Sequence, residues 1–293
     1  MFSLLEILAR SRSAQKRARL PLGFLFSSTI GLLAYRRRSL SRSGVAGAIA
    51  TGTTTVGMGG WSWGLTLIFF FVSSSFLSHF RAQEKAATAE DKFSKGSQRD
   101  LLQVMANGGV ATALALAYGL TSERKLQRAL QAGYTGAFAT ATADTWATEL
   151  GVLSSRPPRL ITTGKQISPG TSGGITLPGT AASAAGALAL GSFFWLIQRK
   201  HKENFALPFI ALSSGLLGSL FDSLLGATVQ AMYFCPTCQK ETERHIHSCG
   251  NKTQILRGLP WLNNDGVNFL ATLFGAIVAT VLHASYQPRK RER

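Results

Sequence analysis

Predominantly apolar stretches recur along the chain at 20–35, 44–58, 61–80, 101–120, 129–143, 175–197, 205–233 and 267–283, and they limit the fold more than any motif does. About 20 such residues, wound as a helix, cross the ~30 Å hydrocarbon core of a bilayer. Lipid offers no water to bond a bare backbone, so a helix that satisfies its own N–H and C=O groups is the economical solution there. Some stretches fall short of that length, and the pattern predicts seven or eight membrane segments. They are rich in Gly, Ala, Ser and Thr, which let helix backbones approach closely. No strand-period alternation competes. The expected fold is an all-α, polytopic transmembrane helical bundle with one small zinc-like loop insertion. Its expected divisions are a basic N-terminal segment 1–19, an integral membrane domain 20–284 that includes a Cys/His loop at 234–265, and a basic tail 285–293.

A formal net charge of +17, from 31 Lys and Arg against 14 Asp and Glu, would suggest nucleic acid in a soluble protein. Only 15% of the residues are charged, however, against about 25% in soluble domains. The basic residues cluster between apolar stretches, at Arg36, Arg37 and Arg38, at Arg199, Lys200 and Lys202, and in the tail from Arg289. That placement fits anchoring to anionic headgroups. The lipid bilayer is therefore the expected partner and nucleic acid is not, with a multi-pass position in the cell (plasma) membrane. The basic N-terminus is not followed by a convincing small-residue cleavage site, so no removable leader is expected. If the stretches alternate sides, loops 36–43, 81–100, 144–174 and 234–265 share one face, and every polar constellation falls on it. Lys and Arg divide almost evenly between the two faces, so charge does not orient the chain.

Asp222 is the only charge between residues 205 and 234. A carboxylate at that depth costs on the order of 3 kcal/mol on insertion scales and usually serves function. A structural hydrogen bond between helices is the plainer reading, but such bonds average below about 1–2 kcal/mol. An ion or proton role is the better match. Asp144 and Glu149 follow a second uncharged stretch, at 129–143. Five residues apart, they lie about 140° apart on a helix, so they share a pocket only if the helix ends or bends between them. Carboxylates at a membrane boundary suit Mg²⁺, which takes one or two of them plus phosphate oxygens.

Next come Lys165 and the turn Gly170, Thr171, Ser172, Gly173, Gly174, ahead of the stretch at 175–197. Free backbone N–H groups leading into a helix bind anions, and Lys165 could add a point charge on phosphate. The plainer reading is a helix cap and a flexible turn; the P-loop pattern is absent. Arg99, Gln103 and Asn107 step by four residues and line one stripe of a helix. Lys92 and Lys95 upstream read as surface charges in a mixed loop.

Cys235, Cys238, His247 and Cys249 have the ligand types and spacing of a tetrahedral structural Zn²⁺ site. All three cysteines of the chain fall here; an odd number argues against a disulfide framework. Finally, Asn264, Asp265 and Asn268 precede the last apolar stretch. Asp265 could cap that helix, which leaves the amides around it unexplained.

Taken in order, Arg99–Asn107, the segment around Asp144 and Glu149, the Gly-rich turn, the run from Asp222 to Gln230, the Cys-x2-Cys pair and Asn264–Asn268 resemble the transmembrane-protein-19-like family, also described as domain of unknown function 92. The likeness covers roughly residues 20–284. That family includes a plant plastid phytyl-phosphate kinase, which makes phytyl diphosphate from a nucleoside triphosphate. The resemblance implies a membrane kinase acting on an isoprenoid lipid phosphate, phytyl or polyprenyl, with a nucleoside triphosphate as donor. It also leads one to expect an acidic residue where Asn263 stands. On the chemistry above, Mg²⁺ is expected on Asp144 and Asp222, catalysis on these with Glu149 and Lys165, and phosphate contacts on Arg99, Gln103, Asn107, the Gly-rich turn and Asn264, Asp265 and Asn268. The alternative is a transporter or flippase in which the same carboxylates relay ions or protons, with inverted repeats and broken helices as its signature.

Overall fold

The structure, a computed structural model, describes residues 4–89, 98–198 and 206–286. Its helices are α1 (Leu4–Arg36), α2 (Arg42–Thr54), α3 (Trp61–His79), α4 (Ala82–Ala89), α5 (Leu101–Leu120), α6 (Arg124–Gly151), α7 (Leu177–Ile197), α8 (Leu207–Thr228) and α9 (Asn264–Tyr286). A π-helical turn, Thr55–Gly59, continues α2. Lys92, Lys95 and the basic clusters beginning at Arg199 and Arg289 lie outside the described residues.

Among the described residues, six helices are long and apolar enough to cross a membrane: α1 from Ala18, α3, α5, α7, α8 and α9. The two remaining expected stretches became α2 and α6. At 13 residues, α2 reaches only about 20 Å before its π turn. The 28 residues of α6 run about 42 Å, so length is not what sets it apart. Its whole middle, 132–143, is buried, and it packs against α3, α5, α7, α8 and α9. A helix wrapped by other helices need not be apolar, but it must be slim, and Ala, Gly and Thr supply that. A Cβ added to Gly275 of α9 would lie 1.9 Å from Thr140 Oγ1, and one on Gly218 of α8 would lie 2.2 Å from it. Any side chain at either glycine would force those helices off α6. Aromatic rings fill the wider gaps: Tyr134 packs against Trp63, Phe138 and Phe194 and donates its hydroxyl to the Trp63 carbonyl at 2.6 Å. Phe24, Leu25, Phe76, Phe209 and Val281 are exposed on the outside, as surfaces facing lipid tails should be.

The membrane body is helical, as expected, but the loops carry short strands that were not. β1 (Arg159–Leu160) pairs antiparallel with β2 (Gly174–Ile175). β3 (Met232–Cys235), β4 (Lys240–Thr242) and β5 (Gln254–Arg257) form an antiparallel sheet in the order β4-β3-β5. Strands of two to four residues are too short for alternation to register in a sequence.

Loops on the expected common face are stitched together. Ser41 N–H donates to the Arg99 carbonyl at 2.9 Å, and Arg99 N–H donates to the Ser39 carbonyl at 3.0 Å. This pins Arg99 at the head of α5.

Candidate active site

One polar cavity of about 540 Å³ gathers residues from three of the four loops on that face, 81–100, 144–174 and 234–265, and from the helices beside them. It is lined by Lys85, Arg99, Gln103, Asn107, Asp144, Glu149, the Gly-rich segment Gly170, Thr171, Ser172, Gly173 and Gly174, Ser219, Asp222, Glu243, Arg244, Asn264, Asp265 and Asn268.

The deepest acidic centre joins α6 to α8. Asp222 Oδ2 is buried without a hydrogen-bond partner. The Asp144 carboxylate is near enough for the two charges to interact, as is Glu243. Ser219, three residues before Asp222 and therefore on the same helix face, lines the cavity beside Asp144. An interhelical hydrogen bond does not account for the unpartnered oxygen. Two facing carboxylates, one with an unspent buried oxygen, form a donor set that fits a hard divalent cation such as Mg²⁺.

Glu149 belongs to a second centre, apart from the one that joins Asp144 to Asp222. Helix α6 runs unbroken to Gly151, so the two carboxylates do diverge. Both reach the cavity because it wraps the end of the helix. Ser78 donates to Glu149 Oε1 at 2.6 Å and Lys85 to Oε2 at 2.5 Å. Lys85 also donates to the Leu77 carbonyl at 2.5 Å. Arg99 lies close by: burial lowers its guanidinium pKa, and the charge of Glu149 opposes that shift. The guanidinium carbon stands 6.0 Å from the centre of the Phe70 ring, within cation–π range. Nothing in the sequence distinguished Lys85 from its charged neighbours.

Lys165 is not in the cavity. It is exposed in the turn between β1 and β2, where its carbonyl accepts from Leu160 N–H at 2.9 Å and Gly164 takes φ +67°. A hairpin turn points such a side chain outward, and the cations that line this site are Lys85, Arg99, Arg156 and Arg244.

The Gly-rich segment lines the cavity but leads into β2, not a helix. Thr176 caps α7 by accepting from Gly179 N–H at 3.0 Å. Two amides expected to hold phosphate are used within the turn, Gly174 N–H to Thr171 O at 3.1 Å and Thr171 N–H to Ser168 O at 3.2 Å. The segment instead rests on the end of α8: Gly173, at φ +85°, has no room for a Cβ, which would fall 2.5 Å from that of Ala227. A polar chain then runs outward. Ser172 donates to Gln230 Oε1 at 2.9 Å, Gln230 Nε2 donates to Glu243 at 2.9 Å, and Arg257 donates to Ser172 O at 3.2 Å and Gly226 O at 2.6 Å.

The stripe Arg99, Gln103, Asn107 exists, partly spent on structure. Asp100 and Gln103 form a capping box at 2.9 and 3.0 Å, and Asn107 Nδ2 donates to the Gln103 carbonyl at 3.1 Å. At α9 the cap is Asn263, whose Oδ1 accepts from Gly266 N–H at 3.0 Å. That role suits Asn and Asp alike, so it gives Asn263 a structural task without requiring an amide there. It also leaves Asn264, Asp265 and Asn268 to the cavity.

A second cavity, of about 230 Å³, opens between α1, α2, α3 and α5. Phe26, Ile30, Val56, Trp61, Leu65, Ile68 and Phe71 make it oily, and its polar end is again Arg99, Gln103 and Asn107. The four Cys and His side chains converge away from both cavities, and His245, by contrast, lies against the ring of Tyr233, 4.4 Å between centroids.

The chain is similar to known proteins over most of its length. It is 34% identical over 283 residues to Protein PGR of Arabidopsis thaliana, covering 90% of this chain and 96% of that one. An uncharacterised membrane protein of Methanocaldococcus jannaschii is 28% identical, with 91% of this chain and 95% of the relative covered. Protein VTE6, chloroplastic, also from Arabidopsis thaliana, is 26% identical, with 83% and 65% covered. No solved structure matches. A chloroplast protein among these relatives leaves the expected plasma-membrane location without support, while a multi-pass membrane position stands. The model of the family described as Integral membrane protein DUF92 matches residues 25–276, and the chain belongs to that family.

Proposed function

We propose that this protein is an integral membrane enzyme that transfers a phosphoryl group from a nucleoside triphosphate to an isoprenyl monophosphate of the phytyl or polyprenyl type. The observation that carries this reading is the meeting of an oily cavity and a polar, charged one at Arg99, Gln103 and Asn107. Such a junction suits an amphiphile with a hydrocarbon tail and an anionic head. The resemblance to the family of the plant phytyl-phosphate kinase points the same way.

In this reading the tail lies among Phe26, Trp61, Leu65 and Phe71, and the head phosphate meets Arg99, whose planar fork suits phosphate oxygens. Lys85 and Glu149 hold the surrounding charge in place. The nucleotide phosphates occupy the opposite wall, between Arg244, the Gly-rich segment and the head of α9. Mg²⁺ held by Asp144 and Asp222 would neutralise charge on the transferred group. A phosphate monoester with second pKa near 6 is largely dianionic at pH 7, so the acceptor needs no general base. Positioning and charge neutralisation do most of the work in phosphoryl transfer.

Transport coupled to the same carboxylates fits less well. The helices that carry them, α6 and α8, are continuous, whereas transporters of the kind considered break helices at the substrate site. The test is direct. Purified protein given Mg²⁺, nucleoside triphosphate and phytyl or geranylgeranyl monophosphate should yield the diphosphate, and Asp222→Asn should not. Nucleotide-independent substrate flux in proteoliposomes, with no diphosphate formed from any isoprenyl monophosphate, would replace this reading with the transporter.

A further inference from the structure

The loop between α8 and α9 is difficult to hold together by packing alone. Its sheet has strands of three and four residues, and Ile246, Ile255 and Leu256 remain exposed. Sheets this small need more apolar cover or a staple to persist. Four ligating side chains meet at the far end of that sheet.

We propose that Cys235, Cys238, His247 and Cys249 bind one structural Zn²⁺, and that this ion clamps the β3–β5 loop over the polar cavity. One ligand atom from each of the four lies within 4.8 Å of every other. Cys235 Sγ and Cys249 Sγ are 3.7 Å apart, and His247 Nδ1 is 3.3 Å from Cys249 Sγ. A tetrahedral site with Zn–S near 2.3 Å sets its sulfurs about 3.8 Å apart, whereas a disulfide brings them to about 2.05 Å. Two tight turns present the ligands in pairs. After the first pair, Gln239 takes φ +55° and donates its N–H to the Cys235 carbonyl at 2.9 Å; after the second, Gly250 takes φ +86° and donates to the His247 carbonyl at 2.8 Å. Asn251 Nδ2 ties the turns, reaching Thr237 Oγ1 at 3.0 Å and Cys249 Sγ at 3.6 Å. A donor to a ligand sulfur is the kind of outer contact that orients metal sites.

Three thiolates and an imidazole select zinc over magnesium or calcium. Four protein ligands fill its coordination and leave no catalytic position. The clamp reaches the cavity through β4, because Glu243 directly follows that strand and is held by Gln230, which in turn holds Ser172. Zinc binding does not depend on phosphoryl transfer, and the experiment reads it without turnover. Full-length protein purified in detergent without added metal should carry about one zinc per chain by elemental analysis. Cys235→Ser with Cys249→Ser should lower that at least about five-fold, while Cys238→His, which keeps a zinc ligand, should retain it. Should the serine variant fail to fold, cobalt exchanged into the native protein should show the thiolate charge-transfer and tetrahedral visible bands. Monodisperse native protein with less than about 0.1 zinc per chain, or cobalt without those bands, overturns the proposal.

Discussion

The polar cavity holds two acidic centres on opposite sides of α6, and they are built on opposite principles. Glu149 is fully answered, by Ser78 and Lys85 at hydrogen-bond distance. Asp222 is not: its Oδ2 is buried without a partner and faces two further carboxylates. An answered charge contributes to stability, while an unanswered one costs stability and is kept for what it binds. Under the proposed function, the contrast would give the Glu149 side the lipid head beside Arg99 and the Asp222 side the cation and nucleotide.

The largest effect should come from Asp222→Asn. Diphosphate formation should fall at least about 1,000-fold, while the melting temperature in detergent stays level or rises, because a costly buried charge is gone. A fall in melting temperature with activity intact would reverse the assignment. Glu149→Gln should behave the other way, losing about 2–3 kcal/mol as Lys85 is left in a half-closed site without its counter-charge. Thermal unfolding reads this, and turnover should drop by only about ten-fold.

A finer division comes from the oily cavity. Gly108 lines it, and a Cβ there would meet nothing within 4 Å. Gly108→Leu should therefore project into the cavity and take up part of its volume. The KM for a long isoprenyl monophosphate should rise about ten-fold, with the nucleotide KM unmoved. If both constants shift together, the two sides are not separate. Lys165→Ala touches neither side, and its kcat/KM should stay within about two-fold of the native protein. A larger loss would bring the exposed hairpin into the site.

Much of the arrangement is legible in the amino-acid sequence. Asp222 announced itself as a lone carboxylate in an apolar stretch, and alternation of segments placed the polar constellations on one face, where the cavity lies. The Cys/His cluster was legible because its ligands fall within one loop. Gln103 misled in part: a four-residue step reads equally as a binding stripe and, with Asp100 three residues before it, as a capping box. The Gly-rich turn misled for a similar reason, since glycines serve anion binding and close packing alike, and Gly173 is committed to Ala227.

Unaided, the amino-acid sequence settled the solvent and the class of fold, because lipid imposes length and composition on every span it touches. It could not settle which spans are wrapped by others, so α6 had the composition of a weak membrane segment and proved to be the buried axis. Nor could it pair Lys85 with Glu149, 64 residues away, or turn Lys165 outward. Those outcomes depend on how close neighbouring helices come, and closeness is decided where Gly218 and Gly275 meet Thr140, contacts that form only when distant parts of the chain assemble.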